Sequence, residues 1–427
     1  MHPMVKPALR RAWRERQTVQ FGVTPAHAVV VGPMDPATGS LLQLFDGTRG
    51  LPLLRKEAHA MGLPDGQTDA LIGRLTAAGL LDDPTAGGPA ADVLRAKPGR
   101  LQRLRPDLAS LSVVHPGPGA AIRHLAARHA MRVQVRGAGR VGAAVAALLS
   151  AAGVGRVDTL DGGCVEPGDA APGGLSPGAV GERREVAARR LVRDSAPHPA
   201  PRAGRRTSGL PTRTTTPDRG PTAREEGPDP HPRPRPRPPS GGGVPATSCS
   251  EPAVSLIVVC PRDGLSAYAP DPAQAEHWIT TGTPHLYAGV VEATGFVGPL
   301  VLPGGSACAG CWERCRADGD PGWPRLLAQW RSGSRRNAVP ACDISLAATV
   351  AGLAAAHTLS FLDGGLPLSV GARWEVAQPM LSWRSERLRA HEACGCGAAG
   401  KSEGAETSGS TSTHETMDHP QSTESGP

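Results

Sequence analysis

Between residues 131 and 161 the hydrophobic pattern changes period twice, in MRVQVRGAGRVGAAVAALLSAAGVGRVDTLD. Residues 132–136 alternate apolar and polar, which predicts a short half-buried strand. A glycine turn follows, and then an Ala/Leu/Val run of helical length that stops at Gly153 and Gly155. A second apolar strand, 156–160, ends on Asp161. Elsewhere the pattern is fainter. Residues 17–32 alternate enough to predict a small hairpin turning near Thr24-Pro25. Helical spacing follows over 38–45, 51–61 and 67–78, where Leu71, Ile72, Leu75 and the pair Leu80-Leu81 would face a core. Strands followed by three short helices describe a small winged-helix-like α+β domain over 1–85.

Residues 86–112 read as a connection with little periodicity, apart from a short element over 101–111, and 113–128 as a strand and a helix. A polar amphipathic helix is expected over 180–192. From 195 to 252 the chain is rich in Pro, Arg, Thr and Gly, including HPRPRPRPPSGGG. That composition cannot bury a core and predicts a disordered, solvated insertion. Order returns at 254–260, VSLIVVC, a continuous β-branched run that reads as a buried strand. The insertion therefore interrupts one α/β domain, 113–397. Beyond it, 271–281 reads as helix, 285–293 and 297–302 as strands, and 323–332 and 344–362 as helices. His357, in the last of these, reads as a satisfied histidine, not a ligand. Residues 398–427, rich in Ser, Thr, Glu and Gly, read as a disordered tail.

Composition narrows the picture. The chain has 427 residues, 39% hydrophobic and 3% aromatic, with 54 Gly and 44 Pro, so part of it is not expected to fold. The net charge of +7 is modest and spread out. In the helix over 67–78 only Asp69 and Arg74 are charged, which argues against specific nucleic-acid reading by a basic recognition helix. Strand addition by a peptide at the hairpin edge is the alternative use of such a module. The N-terminus lacks the apolar stretch of a signal peptide, and no uninterrupted apolar run of about 20 residues suggests a membrane span. These features predict a cytoplasmic protein.

Two constellations carry candidate chemistry. In Gly137-Ala-Gly139-Arg-Val-Gly142, Gly137 permits the tight turn, Gly139 lets backbone N–H groups approach a phosphate, and Gly142 lets the helix pack on the sheet. Asp161 stands where an acid accepts hydrogen bonds from a ribose. The same pattern also fits a βαβ unit that no longer uses its nucleotide site. The second constellation is Cys308-Ala-Gly-Cys311 with Cys394-Gly-Cys396. Nine cysteines, several closely paired, in a chain without an export signal point to metal ligands before disulfides. Two such pairs predict a closed tetrahedral zinc site, structural because no position is left open. Cys315 could compete as a ligand. Cys164, Cys260 and Cys342 read as small core hydrophobes.

Two resemblances add to this. LLQLFDGTRGLPLLRKEAHAMGL and the closing RLTAAGLLDD resemble the peptide-clamp modules of ribosomal-peptide maturation, of which PqqD is the best-known type. That resemblance implies a leader peptide gripped between a strand and the third helix. RGAGRVGAAVAALLSAAGVGRVDTLD, PHLYAGVVEATGFVGPLVLPGGSACAGC and HEACGCG resemble the ThiF/MoeB group, bacterial relatives of ubiquitin-activating enzymes. This second resemblance implies a Rossmann-like domain with a structural zinc, and members are often homodimers. It also implies ATP bound at Gly137, Gly139, Gly142 and Asp161, with Mg²⁺ near Asp263. Active members adenylate the C-terminal carboxylate of a small carrier protein.

This chain departs from the active pattern. Gly163 replaces the second acid of D-x-D, Asp169 stands where Asn is expected, and Pro172 stands where the catalytic Arg is expected. Arg183, Arg184, Arg189 and Arg190 are the nearby cations that could substitute. Two arrangements fit: a leader-peptide-binding scaffold that delivers a precursor peptide to a partner enzyme, and an ATP-dependent adenylyltransferase. An NAD-dependent oxidoreductase is a third class, without a base or proton relay to accompany it.

Overall fold

Alternating side chains on the central strands feed two apolar layers. Leu256 and Val258 pack into one core cluster, while Ile257 and Val259 of the same strand pack into another. A strand buried on both faces reads as a continuous apolar run, as VSLIVVC does. The computed structural model describes residues 1–197, 252–332 and 339–399. Of the insertion expected over 195–252, residues 198–251 lie outside the described residues, and so do residues 400–427 of the tail expected over 398–427.

The N-terminal part holds β1 (Met4–Val5), β2 (Arg11–Glu15), β3 (Thr18–Phe21), β4 (Val29–Val31), α1 (Pro36–Gln43), α2 (Leu51–Ala60), α3 (Gln67–Ala77) and β5 (Leu81–Asp82). The hairpin expectation is extended: β2, β3 and β4 form a three-stranded antiparallel sheet with β3 central. β1 and β5 pair separately. Val19, Phe21, Leu41, Leu54, Leu71 and Leu75 share one core. Asp35 caps α1 by accepting from the N–H groups of Ala37 and Thr38. The two charges of α3 are both engaged, Asp69 with Arg55 and Arg74 with the carbonyls of Gly32 and Pro33.

The stretch read as an irregular connection is helical. It forms α4 (Gly88–Arg95), α5 (Pro98–Arg103) and α6 (Arg105–Val114), and α7 (Ala120–Ala130) follows with no strand before it. Leu94, Leu104, Leu111 and Leu125 build a small core of their own among these short helices. With so few large apolar residues per turn, the helical period is hard to see in the sequence. Lys6, 1% exposed, donates to the carbonyls of Ser112, His115 and Pro116 and ties β1 to the end of α6.

The central sheet uses β6 (Arg132–Arg136), β7 (Arg156–Leu160), β8 (Leu256–Val259), β9 (His285–Val291), β10 (Thr294–Val301), β11 (Ala372–Ala377) and β12 (Ser382–Arg387). Its order is β12-β11-β10-β9-β8-β6-β7. The β7-β6-β8-β9 half is parallel, and β9 to β12 run antiparallel. The sequence reading did not anticipate β11 and β12.

α8 (Arg140–Ala151) and α14 (Ile344–Leu362) cover one face of the sheet. By length and composition α14 could cross a membrane, but Leu346, Ala347, Val350, Ala351 and Ala354 are buried in this core. The other face is covered by α10 (Leu265–Tyr268), α11 (Pro272–Thr280), α12 (Ala309–Gly319) and α13 (Trp323–Ser332). α9 (Arg184–Ser195) packs beside α8 through Ala187 and Ala188. His357 is satisfied by Ser369, with Nδ1 2.7 Å from the hydroxyl.

Candidate nucleotide cleft and cysteine cluster

The parallel strands bring the glycine turn, Asp161 and Asp263 to one end of the sheet. A topological switch there is where open α/β sheets leave a crevice. Gly137, directly after β6, has φ +99°, and a Cβ there would lie 2.0 Å from the Cys260 carbonyl oxygen beyond β8. A Cβ on Gly142 would lie 2.1 Å from the Gly137 carbonyl oxygen, so the first turn of α8 closes onto the turn only because both residues are glycine. Gly139 is the N-cap of α8, which directs unpaired first-turn N–H groups outward.

Gly137, Asp161 and Asp263 line one cavity of about 890 Å³. Gly139 lines an adjoining cavity of about 530 Å³. Arg262 borders both, and its side chain packs within 3.2 Å of where a Gly139 Cβ would stand. Gly142 lines neither and serves the packing.

Asp161 is heavily engaged. Its Oδ2 accepts from the Ala138 N–H at 2.9 Å, and its Oδ1 accepts from the Gly163 N–H and Arg184 Nε, each at 2.9 Å. A carboxylate offers about four lone-pair sites, so these contacts leave about one open. Burial would raise its pKa, but the hydrogen bonds from Gly163, Ala138 and Arg184 outweigh that and hold it below the ordinary carboxylate range. Arg184 also donates to Asp169 Oδ2 at 3.1 Å and to the Cys164 carbonyl at 2.6 Å. Arg262 completes the chain of charges, with Nε 2.6 Å from Asp169 Oδ1 and a second contact to Glu166. Its guanidinium pKa is lowered by burial and raised by Asp169 and Glu166, with a net rise. Asp263 is exposed and, among the described residues, makes only two 3.5 Å hydrogen-bond contacts, both to Ser266. It is therefore available to an ion or ligand in the cleft.

Arg262 and Glu166 were missed as site residues. Arg262 had one signal, its place next to Asp263 after a buried strand. Arg140 was missed too. It donates to the carbonyls of Gly168 and Cys342, binding the 166–169 turn to the chain before α14.

The cysteine cluster lies on the sheet face covered by α10 to α13, where the N-terminus of α12 meets the last described residues. The four sulfurs of Cys308, Cys311, Cys394 and Cys396 lie within 4.8 Å of one another and could hold a metal ion. Individual Sγ to Sγ separations are 3.9 Å for Cys308 and Cys311, 3.6 Å for Cys308 and Cys394, and 3.5 Å for Cys311 and Cys396. The Cys311 pKa is lowered by the hydrogen bond from Cys308 and by backbone N–H groups of His391 and Cys308, against burial. Cys308, the donor, is pushed up by that bond and by burial. Cys315 stands outside the cluster, exposed, with Sγ 3.8 Å from the Arg389 carbonyl oxygen. Cys260 is buried and pushed up to about 12, as a core thiol should be. Cys164 is exposed, which corrects its reading as a core residue, since the chain leaves the sheet at Gly162-Gly163 before reaching it.

Residues 122–203 match the ThiF family. No curated protein matches the sequence. Among solved structures, Escherichia coli MccB with ATP is similar at TM-score 0.59 and 14% identity, covering 93% of this chain and 99% of that one. The same protein with MccA-N7isoASN gives TM-score 0.60 and 13% identity, covering 93% and 100%. The heterocyclase TruD gives TM-score 0.54 and 15% identity, covering 93% of this chain and 43% of TruD. At these identities the likeness is one of fold. The chain thus carries a ThiF-family segment, the match running from α7 through the glycine turn and Asp161 to just past α9, within a fold similar to that of MccB.

Proposed function

We propose that this protein is a ThiF-like scaffold that binds the leader of a precursor peptide and presents the peptide to a partner enzyme in peptide natural-product maturation. The observation that carries the scaffold reading is the Arg184 clasp. Arg184 occupies Asp161 and Asp169, and a Cβ on Gly163 would meet its Nη2 at 1.9 Å. The space in which the family's second acid would stand is filled by a guanidinium, and Pro172 supplies no cation to a reacting phosphate. The peptide setting is supported by the fold likeness to MccB, one of whose structures is a complex with N-formylated MccA, and to the heterocyclase TruD.

In this reading residues 1–85 form the winged-helix-like peptide module. Among the described residues β4 pairs only with β3, so its outer edge offers backbone groups for strand addition. α3 lies close to that edge through the Arg74 contacts to Gly32 and Pro33. Zinc suits the cysteine cluster. A tetrahedral S₄ site with Zn–S near 2.3 Å has sulfur edges of about 3.8 Å; three of the pairs here lie at 3.5 to 3.9 Å and all within 4.8 Å. With four thiolates the ion would be structural and would supply no open coordination position.

The second reading is an adenylyltransferase that activates the C-terminal carboxylate of a small carrier protein. The intact glycine turn and the exposed Asp263 favour it, and MccB itself has been solved with ATP. In that case the turn at Gly137 and Gly139 would hold phosphates, Asp263 would hold Mg²⁺, and Arg262 would face the phosphates. Bound ATP and Mg²⁺ would supply the electrophilic phosphorus.

The two readings separate in one experiment. A fluorescently labelled leader from a precursor peptide encoded near this gene is titrated into the full chain and into a chain lacking residues 1–85, and ATP–pyrophosphate exchange is measured with the same peptide. The scaffold reading expects binding only to the full chain and exchange at background. Peptide-stimulated exchange would replace it with the second reading.

A further inference from the structure

Among the described residues the cysteine cluster is sealed on one side and open on the other. Cys311 is fully buried and Cys308 is 5% exposed, while Cys394 and Cys396 are half-buried. A cavity of about 700 Å³ lies between α11 and α12, lined by Cys308, Cys394 and Cys396 but not by Cys311.

Gly310 shows that sulfur atoms face this cavity. It lines the cavity together with Pro272 of α11. A Cβ on Gly310 would lie 3.2 Å from Cys394 Sγ, 3.6 Å from Cys308 Sγ and 3.7 Å from Pro272 Cβ. Gly310 is helical, so nothing in its backbone calls for glycine. Its missing side chain leaves the two sulfurs uncovered toward the cavity.

The sulfur separations add a second point. The shortest ones run between the two segments, 3.6 Å for Cys308 and Cys394 and 3.5 Å for Cys311 and Cys396. Cys308 and Cys311, within one segment, are 3.9 Å apart. A disulfide from Cys308 to Cys394 would therefore join the same two stretches of chain that a bound ion joins. Thiolates are the reactive form of cysteine, and their oxidation depends on access. Here access is provided at Cys394 and its neighbour Cys308.

We infer that Cys394 is an oxidation site, and that a hydroperoxide converts the cage from a metal tie into a disulfide tie between Cys308 and Cys394. The Cys394 thiolate attacks one oxygen of hydrogen peroxide and the O–O bond breaks, leaving a sulfenic acid and a hydroxide ion. The Cys308 thiolate then displaces hydroxide from that sulfur and the S–S bond forms. Two thiolates lose two electrons, the peroxide is reduced to two hydroxide ions, and the zinc, left with two ligands, departs. Zinc as the ion rests on the function subsection above; the access and the choice of sulfurs rest on the geometry.

The test uses the full chain purified under reducing conditions, with zinc counted by elemental analysis. Hydrogen peroxide is added, released zinc is followed with a chromogenic chelator, and disulfides are mapped by peptide mass. Zinc should leave in step with formation of the Cys308–Cys394 linkage, and a dithiol with added zinc should reverse both. Gly310→Ala, which keeps all four ligands and covers the sulfurs with a methyl group, should slow release roughly threefold or more. If that variant holds less zinc than wild type, Ala317→Leu, which narrows the same cavity from α12, takes its place. Cys315→Ser should release zinc at the wild-type rate. Zinc retained at peroxide levels that oxidise the exposed Cys315, bonds confined to Cys308–Cys311 or Cys394–Cys396, or an unchanged rate in the covered variant overturns the inference. Reduced protein without zinc defeats the zinc assignment, while mass mapping still scores the oxidation site.

Discussion

Gly163 and Arg184 fit each other by exclusion. A Cβ on Gly163 would lie 1.9 Å from Arg184 Nη2. In the absence of that atom the guanidinium reaches Asp161 Oδ1 at 2.9 Å and Asp169 Oδ2 at 3.1 Å. The bare Cα at Gly163 and the seated guanidinium of Arg184 are therefore one structural arrangement.

Restoring the acid alone should harm the protein. Gly163→Asp forces the guanidinium out of its seat and is expected to lower stability by about 1–3 kcal/mol, the usual range for overpacking. Combined with Arg184→Ala, the same substitution should cost less than the sum of the two single changes. Urea denaturation of the three variants measures that coupling; strict additivity would show that the two positions are independent.

Arg184→Ala should shift the acid limit of the fold. Asp161 has a folded pKa below its ordinary 3.8. The stability this gives is present above that value and is lost as pH falls through the lower folded pKa. Without Arg184 one lowering contribution disappears while burial still raises the pKa, so unfolding should begin at a higher pH. Circular dichroism followed from neutral pH down through about pH 2 checks this, with an unchanged midpoint counting against the clasp.

Arg128 and Asp363 join α7 to the end of α14 through a two-pronged pair whose side chains are 7% and 6% exposed. Removing either partner strands a buried charge, and Asp363→Ala should cost about 3–5 kcal/mol. Arg128→Lys keeps the charge but loses the fork, so it should recover only part of the loss. Denaturation midpoints rank the three proteins.

Metal content should follow four cysteines and ignore a fifth. Purified protein is expected to carry about one zinc per chain, lost in Cys311→Ser and in Cys394→Ser and retained in Cys315→Ser. Loss of the ion should lower Tm by about 5 °C or more. Elemental analysis beside thermal unfolding tests both halves, and a metal-free wild type with the same Tm as the Cys311→Ser variant would refute them.

The sequence was most legible where local chemistry is strict. The turn at Gly137 and Gly142 tolerates no side chain, so its glycines could be read directly, and the tightly spaced cysteine pairs announced the cluster. Legibility failed where long-range packing decides. β12 is exposed along its length and reads SWRSER, with no apolar alternation; its pairing to β11 makes it a strand. The helices over 88–114 were hidden by small residues and prolines that dilute the helical period. Arg184 stood among several candidate arginines, and only its position facing Asp161 and Asp169 singles it out. Arg316, on α12, and Arg373 and Glu375, two residues apart on β11, belong to separate sequence neighbourhoods with no motif, and their shared surroundings appear only once the sheet is assembled.

The positions of the cysteine pairs set an order on synthesis. Cys308 and Cys311 leave the ribosome well before Cys394 and Cys396, so the sulfur cage cannot close until nearly all of the described chain has been made. Trp312, next in sequence to Cys311, stacks on the buried Arg373. A polypeptide truncated before Cys394 would thus lack two of the four sulfurs and, with them, the tie between the start of α12 and the chain after β12.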